Sequence, residues 1–310
     1  MTETKFTKYG KKNLVGKPRY LKSKIPKGDN YKSIKTQLRQ KNLYTVCEEA
    51  KCPNLGECWD ARTATMMVMG DTCTRACKFC HVKTGNPKGL LDLEEPKKAS
   101  EMVETMGLKY LVITSVDRDD LPDFGASHFA AVVSQVAVDH PEVKVEVLIP
   151  DFDAQEEHMH TLAKSKPFVI AQNIETVKRL THPVRDRRAG YEKTLKALKF
   201  YADNYPEIAT KTSLMVGLGE TKQELVETMQ DLREAGVKII TFGQYLRPTL
   251  AHLEVQKYYE LAEFDHLKKI AYDLGFEFVA SGPMVRSSYK AAEYLEFLNE
   301  KMDEKINWNK

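Results

Sequence analysis

Six cysteines crowd between Cys47 and Cys80, and none of the 230 residues after Cys80 is a cysteine. They form two triplets, Cys47-x4-Cys52-x5-Cys58 and Cys73-x3-Cys77-x2-Cys80. A fold stapled by disulfides spreads its cysteines along the chain, so this crowding points to ligand chemistry. A structural zinc site wants four protein ligands, commonly as two close pairs. Ferredoxins supply four thiolates per cubane, with spacings of their own. Each group here stops at three. Three thiolates hold three irons of a [4Fe–4S] cubane and leave the fourth iron open to a small molecule, as a catalytic cluster requires.

The elements that must position these groups follow from periodicity. From about Ala64 onward apolar runs alternate with amphipathic stretches. Strands are predicted at Thr65–Met69, Tyr110–Thr114, Lys144–Ile149, Phe168–Gln172, Thr212–Val216, Lys238–Phe242 and Phe276–Ala280. Helices are predicted between them, at Lys97–Met106, Ser127–Asp139, Ala154–Ser165, Tyr191–Asp203, Lys222–Ala235 and Glu263–Leu274. Pro96 suits a first helical turn, and Thr221 with Glu224 has capping-box spacing. Gly236 and Gly275 stand where helices end. This alternation predicts an α/β fold with a parallel sheet, either open and doubly wound or a full or partial (β/α) barrel. In a barrel, chemistry sits on the loops after the strands. Polar segments fall there: Asp71–Cys80, Ser115–Asp120 and Asn173–Glu175.

Composition sets outer bounds. Hydrophobic residues make up 42% and charged residues 29% of 310, ordinary values for a soluble enzyme. A formal net charge of +3 is too small to imply nucleic acid. No apolar run approaches the roughly 20 residues that span a bilayer, and the start lacks a secretory stretch, so no membrane and a cytoplasmic location are expected. The first 30 residues carry nine lysines and arginines against Glu3 and Asp29, which reads as a solvated arm or one touching an acidic partner.

The second triplet, with Phe79 before its last cysteine, resembles the signature of radical S-adenosylmethionine enzymes. That resemblance implies a barrel of probable (β/α)6 type, with S-adenosylmethionine bound through its amino and carboxylate groups to the open iron. The first triplet lies in Val46-CEEAKCPNLGECW-Asp60, which resembles the lipoyl synthase family, where it holds an auxiliary [4Fe–4S] cluster. Arg286-Ser287-Ser288-Tyr289 matches that family's C-terminal segment and implies Ser288 as the fourth auxiliary ligand. An alkoxide suits iron–sulfur chemistry less well than thiolate, which fits a cluster that must open and give up sulfur. Two consecutive serines read without the family would be a loop or cap. The resemblance runs from about Asn30 to Ala292 and includes Ile113-TSVDRDDLPDFGA-Ser127, Ile149-PDF-Asp153, Asn173-IETV-Lys178, Ser213-LMVGLGET-Lys222 and Gly243-QYLRP-Thr249. It departs at Ala171-Gln172-Asn173, where the family usually reads Asn-His-Asn, and at Leu261, where many members place proline.

The resemblance divides the chain into an N-terminal extension, 1–60, a barrel, 61–282, and a C-terminal extension, 283–310. It implies insertion of two sulfur atoms at C6 and C8 of an octanoyl group. The carrier would be a lipoyl domain, such as the glycine-cleavage H protein or a 2-oxoacid dehydrogenase acyltransferase subunit. A flavodoxin or ferredoxin would supply electrons. An aliphatic methylene offers no proton that a side-chain base could take, so a cofactor must carry the hard step. Thr114 and Ser115 fall where the superfamily contacts the methionine amino group, although a hydroxyl pair there is also a common turn cap. Asn173 and Glu175 suit ribose hydroxyls or the amino group. Arg185 suits the methionine carboxylate, or joins Arg187 and Arg188 in a basic stretch that meets an acidic carrier protein.

Other groups have simpler readings. Gly217-Leu218-Gly219-Glu220 lacks the third glycine of a dinucleotide fingerprint and reads as a tight turn. His158 and His160 read as surface histidines, Met66, Met67 and Met69 as core packing. Tyr258 and Tyr259 either line an acyl route or pack. Rival functions are an electron-transfer protein, a zinc-binding interaction module, and a radical sulfur-inserting enzyme acting on tRNA or dethiobiotin.

Overall fold

The computed structural model describes residues 18–21, 29–41, 43–60, 65–288 and 291–308. Most of the lysine-rich stretch 1–30, and Tyr289, lie outside them.

Buried β-branched and apolar runs build an eight-stranded sheet in the order β1-β2-β5-β6-β7-β8-β9-β10. Its strands are β1 (Tyr44–Thr45), β2 (Thr65–Val68), β5 (Tyr110–Ser115), β6 (Lys144–Leu148), β7 (Val169–Ala171), β8 (Ala209–Val216), β9 (Ile239–Gln244) and β10 (Phe278–Ser281). All neighbours run parallel except β1, which pairs antiparallel with β2. A separate two-stranded ribbon joins β3 (Thr72–Cys73) to β4 (Lys83–Thr84). The seven predicted strands are all present, with ends shifted by up to three residues.

Helices α4 (Glu95–Met106), α5 (Ala126–Asp139), α6 (Glu156–Ala163), α8 (Tyr191–Asn204), α9 (Lys222–Glu234) and α10 (Leu261–Asp273) fill the crossovers, as the periodicity predicts. Pro96 lies in the first turn of α4, and the Thr221–Glu224 capping box is complete on α9. Gly236 and Gly275 adopt φ of +78° and +90° just past α9 and α10, conformations that exclude most side chains. Leu261 opens α10 and is half exposed, at a first-turn position that suits proline equally well. The periodicity missed α1 (Asp29–Lys41), α2 (Val46–Glu49), α3 (Leu55–Asp60), α7 (Thr181–Val184) and α11 (Glu293–Trp308).

The sheet has two ends, β1 and β10, so its hydrogen bonding does not close a ring. It is nevertheless curled. Met67 of β2, Thr114 of β5, Leu148 of β6, Leu214 of β8 and Gly243 of β9 border one cavity, which a flat sheet could not arrange. This is the partial-barrel form of the expected fold. At the opposite end of the strands, Lys211 pairs with Glu146 at 2.7 Å, and Tyr110 donates to the same carboxylate at 2.7 Å. Tyr294 of α11 packs there with Val169, Ala209 and Ile239, so the last helix stoppers the end remote from the cysteines.

Candidate functional site

The second triplet sits on the loop after β2, at the strands' C-terminal end. The β3–β4 ribbon pinches that loop shut, and the Gly85 amide donates to the Cys73 carbonyl at 2.9 Å. Backbone amides already point at two sulfurs: Arg75 N at Cys73 Sγ, 3.4 Å, and Asp186 N at Cys77 Sγ, 3.3 Å. Such donors stabilise a thiolate once it forms. In the metal-free protein, burial pushes the Cys73 and Cys77 thiols up to about 12 and Cys80 up to about 11.

Arg75, between the first two cysteines, fastens the loop to the barrel. Its guanidinium meets Asp151 at 2.7 Å and Asp119 at 2.9 Å, and lies 3.3 Å from Asp117. These carboxylates come from the loops after β5 and β6. A buried cation needs such partners. Asp117 also stands 3.7 Å from the Cys73 sulfur, and burial, only partly relieved by Arg75, pushes its carboxyl up to about 6.

The first triplet is carried by two short helices. Thr45 caps α2 by accepting from the Glu48 amide, placing Cys47 in the first turn. The chain then turns so that the Cys52 amide donates to the Cys47 carbonyl at 3.0 Å and the Cys58 amide to the Asn54 carbonyl at 2.9 Å. Burial pushes Cys47 up to about 11, with the nearby Cys52 adding to it. It pushes Cys58 up to about 12, with Cys47 and Cys52 adding. The fully buried Trp59 backs them.

The C-terminal segment closes over this group. Asn54, buried, donates to the Met284 carbonyl at 2.7 Å, tying the cysteine turn to residues 230 positions later. Burial raises the Cys52 thiol, and the Arg286 guanidinium is near enough to offset part of that. Gly243 leaves room for this crossing, because a β-carbon there would lie 2.1 Å from the Val285 carbonyl oxygen.

Both groups face one cavity of about 450 Å³. Every candidate residue except Cys58 borders it, Ser288 included. On its wall Ser115 Oγ, Asn173 Oδ1, Arg185 Nε and Arg247 Nε are buried without a hydrogen-bond partner. Unpaired buried polar atoms are costly and rare, so four around one cavity mark a place for a polar ligand. Asn173 Nδ2 donates to Glu175 at 3.1 Å, and burial raises the Glu175 carboxyl. Arg185 is 9% exposed and donates to Thr194 at 3.1 Å, which places it in the pocket and not on a docking surface. Thr114 differs from its neighbour: its hydroxyl donates to the Leu148 carbonyl of the adjacent strand at 3.1 Å, as a sheet residue's would. Arg188 is partly engaged, pairing with Asp186 at 2.9 Å and donating to the Thr74 carbonyl at 2.5 Å, while Arg187 is exposed.

The donor set suits iron–sulfur clusters. Each triplet offers three thiols, with the Asp117 carboxylate 3.7 Å from the Cys73 sulfur. Among the described residues no three His, Cys, Asp or Glu side chains converge on one ion's position, whereas a cubane spreads its ligands over separate irons. The remaining cavity polar atoms, four of them unpaired, fit an amino-acid moiety beside the second triplet.

Several simpler readings hold. Met66, Met67 and Met69 are core residues. Gly217 and Gly219 form a tight turn whose amides at Gly217 and Leu218 donate to Glu220. His158 and His160 depart from the surface reading: both are half-buried, packed edge-on against Phe124 and Phe200, because the helix turns that side toward its neighbours. Tyr259 is buried against Phe264 away from the cavity, so it packs. Sequence reasoning missed Arg75, Asn54 and the pair His81–His252. The two rings stack at 5.7 Å, and His252 Nε2 donates to the Cys80 carbonyl at 2.9 Å. Only the placing of Arg75 and Asn54 inside the cysteine spacings could have flagged them.

Comparison with known proteins bears on the same residues. Residues 67–232 match the Radical SAM superfamily, and residues 3–52 match the N-terminal domain of lipoyl synthase of the Radical SAM family. A lipoyl synthase of Marinobacter nauticus is 56% identical over 280 residues, covering 90% of this chain and 80% of its own length. One of Thermus thermophilus is 54% identical over 275 residues, covering 89% and 85%. One of Deinococcus radiodurans is 52% identical over 297 residues, covering 94% and 90%. Among solved structures, Streptococcus suis SuiB bound to S-adenosylmethionine superposes with a TM-score of 0.52 at 13% identity, over 70% of this chain and 49% of that one. The FeFe-hydrogenase maturase HydG from Carboxydothermus hydrogenoformans gives 0.51 at 15% identity, over 88% and 78%. At such identities these two share the fold alone.

Proposed function

The chain belongs to the lipoyl synthase family of the radical S-adenosylmethionine superfamily, and from that membership we propose how its residues divide the work. The activity is sulfur insertion into a protein-bound octanoyl group, dependent on S-adenosylmethionine and a [4Fe–4S] cluster. When bound, these cofactors supply radical hydrogen abstraction from unactivated carbon, which no side chain here could achieve.

Cys73, Cys77 and Cys80 hold the cluster that meets S-adenosylmethionine. Arg75 keeps their loop docked on the barrel. Ser115, Asn173, Glu175 and Arg185 orient the methionine and ribose groups, with Thr114 acting through the sheet. Cys47, Cys52, Cys58 and Ser288 would hold a second [4Fe–4S] cluster, which would supply the sulfur for C6 and C8. Asn54 and Gly243 position the segment that presents Ser288. The octanoyl chain enters from a lipoyl carrier domain, of the glycine-cleavage H protein or of an acyltransferase subunit. A flavodoxin or ferredoxin supplies electrons, and the protein works in the cytoplasm. Among the described residues no helix is long and apolar enough to cross a membrane. The chain divides at 60 and 282 into a segment carrying the first triplet, the barrel with the second, and a segment carrying Ser288.

The observation that supports this most is the single cavity bordered by both cysteine groups, Ser288 and four unpaired polar atoms. The test is anaerobic reconstitution, then incubation with an octanoylated carrier peptide and mass spectrometry. Iron near eight per chain and a product carrying two added sulfurs are expected. Abundant 5′-deoxyadenosine with an unchanged peptide would assign the chain another substrate.

A further inference from the structure

A second depression, of about 270 Å³, lies behind the cluster loop. It is lined by Ala76, Cys77 and Lys78, by Thr84, and by Ala251 to Leu253. Cys77 therefore borders both the reaction cavity and this outer hollow. None of Cys47, Cys52, Ser288, Asn173 or Glu175 reaches the hollow, so an acyl chain delivered there would meet the wrong side of the cluster loop.

Its rim is basic. Segment 184–188 abuts the loop, since Lys78 N donates to the Val184 carbonyl at 2.9 Å and Ala76 N to Asp186 at 2.9 Å. Lys78 and Arg187 are exposed and form no ion pair with any described residue. Lys83, beside Thr84, is 64% exposed and only loosely paired with Asp71 at 3.6 Å. Of the nearby acids, Asp186 is 10% exposed and neutralised by Arg188. Glu254 faces solvent and lies 3.7 Å from Arg247. The exposed charge around Cys77 is thus positive in balance.

We propose that this face docks an acidic one-electron carrier protein, a flavin or iron–sulfur protein, which reduces the Cys73/Cys77/Cys80 cluster through Cys77. Each docking oxidises the carrier by one electron and reduces the cluster by one, for each S-adenosylmethionine cleaved. The inference rests on the radical S-adenosylmethionine reading and adds where the electron enters. A small contact suffices, because electron-transfer encounters bury little surface and depend on charge for their speed.

The test compares two reductants on reconstituted holoprotein carrying Lys78→Glu and Arg187→Glu together. Both side chains point outward, and the Lys78 backbone bonds to Val184 and Leu253 survive the change. With reduced flavodoxin, 5′-deoxyadenosine formation at low salt should fall about tenfold or more. Calorimetric titration of flavodoxin should show wild-type binding that weakens with added salt and variant binding about tenfold weaker that barely responds. With dithionite, which needs no docking, both proteins should turn over alike. An unchanged flavodoxin rate, or equal losses with both reductants, overturns the docking face. So does a raised KM for octanoylated carrier under dithionite, which would give the patch to the substrate protein. Each of these leaves sulfur insertion itself standing, since that reading is judged by product mass with dithionite.

Discussion

Gly243→Ala should separate the two halves of the chemistry. Gly243 is buried near the end of β9 at an ordinary φ, so alanine meets no backbone objection. Its objection is space. The added carbon would sit 2.1 Å from Val285 O, 3.1 Å from Val285 C and 3.2 Å from an Arg286 nitrogen. Ordinary contact begins near 3.4 Å, so the 282–288 segment must retreat by about 1.3 Å if β9, held in the sheet on both sides, does not. Overpacking of this kind costs about 1–3 kcal/mol. A displacement near 1 Å at a reacting group can cost about a hundredfold in rate. The loop carrying Cys73, Cys77 and Cys80 is fastened elsewhere, by Arg75. The variant should therefore still make 5′-deoxyadenosine near the wild-type rate while thiolated product drops about a hundredfold. Both are read from one anaerobic reaction by mass spectrometry. Wild-type sulfur insertion by Gly243→Ala would refute the argument that close crossing at this glycine places Ser288.

Cys52→Ala should likewise cleave S-adenosylmethionine yet transfer no sulfur, and any two-sulfur product from it removes the first triplet from the reaction. Asn54→Ala strips the Met284 carbonyl of its buried donor and should lower stability by about 1–3 kcal/mol in denaturant titration, with iron loss at the first triplet; unaltered iron and stability would count against the tie. Arg75→Met leaves Asp119 and Asp151 without their cation and should cost about 3–5 kcal/mol, a loss that Arg75→Lys only partly avoids because the fork is gone. Burial raises Cys47, Cys58, Cys73, Cys77 and Cys80 from the ordinary 9.0 to between about 11 and about 12. The folded metal-free protein thus holds these protons more tightly than the unfolded chain. The stability this gives is whole below about pH 9 and drains away as pH rises through about 11; a flat denaturation profile over that span would contradict it. Cluster loading should release about one proton per thiol, measurable in weakly buffered solution.

Most of the sheet was legible because parallel strands buried on both faces are written as apolar runs, such as Tyr110–Ser115 and Ile239–Gln244. The helices between them carry one apolar stripe each and were equally readable. Helices α2 and α3 were not, because four and six residues are too few to display a period. Their shape is set by Thr45 and by the burial of Trp59. The cysteines announced the site by type and spacing. The fastening of that site could not be read, since Arg75 finds Asp119 and Asp151 on loops 44 and 76 positions away. Nor did any local signal connect Asn54 with Met284. Thr114 and Ser115 look alike on paper; alternation along β5 sends one hydroxyl to a neighbouring strand and leaves the other without a partner.

The wall of the reaction cavity is drawn from both termini, Cys47 and Cys52 at one side and Arg286 to Ser288 at the other. A nascent chain still on the ribosome has all six thiols exposed to the cell long before Ser288 has been synthesised. On the proposed assignment of Ser288, a cluster delivered at that stage would find three thiolates and lack the fourth ligand. Completion of that site would then wait for the segment 283–310 to be made, and a chain cut before Ser288 should retain less iron at the first triplet than at the second.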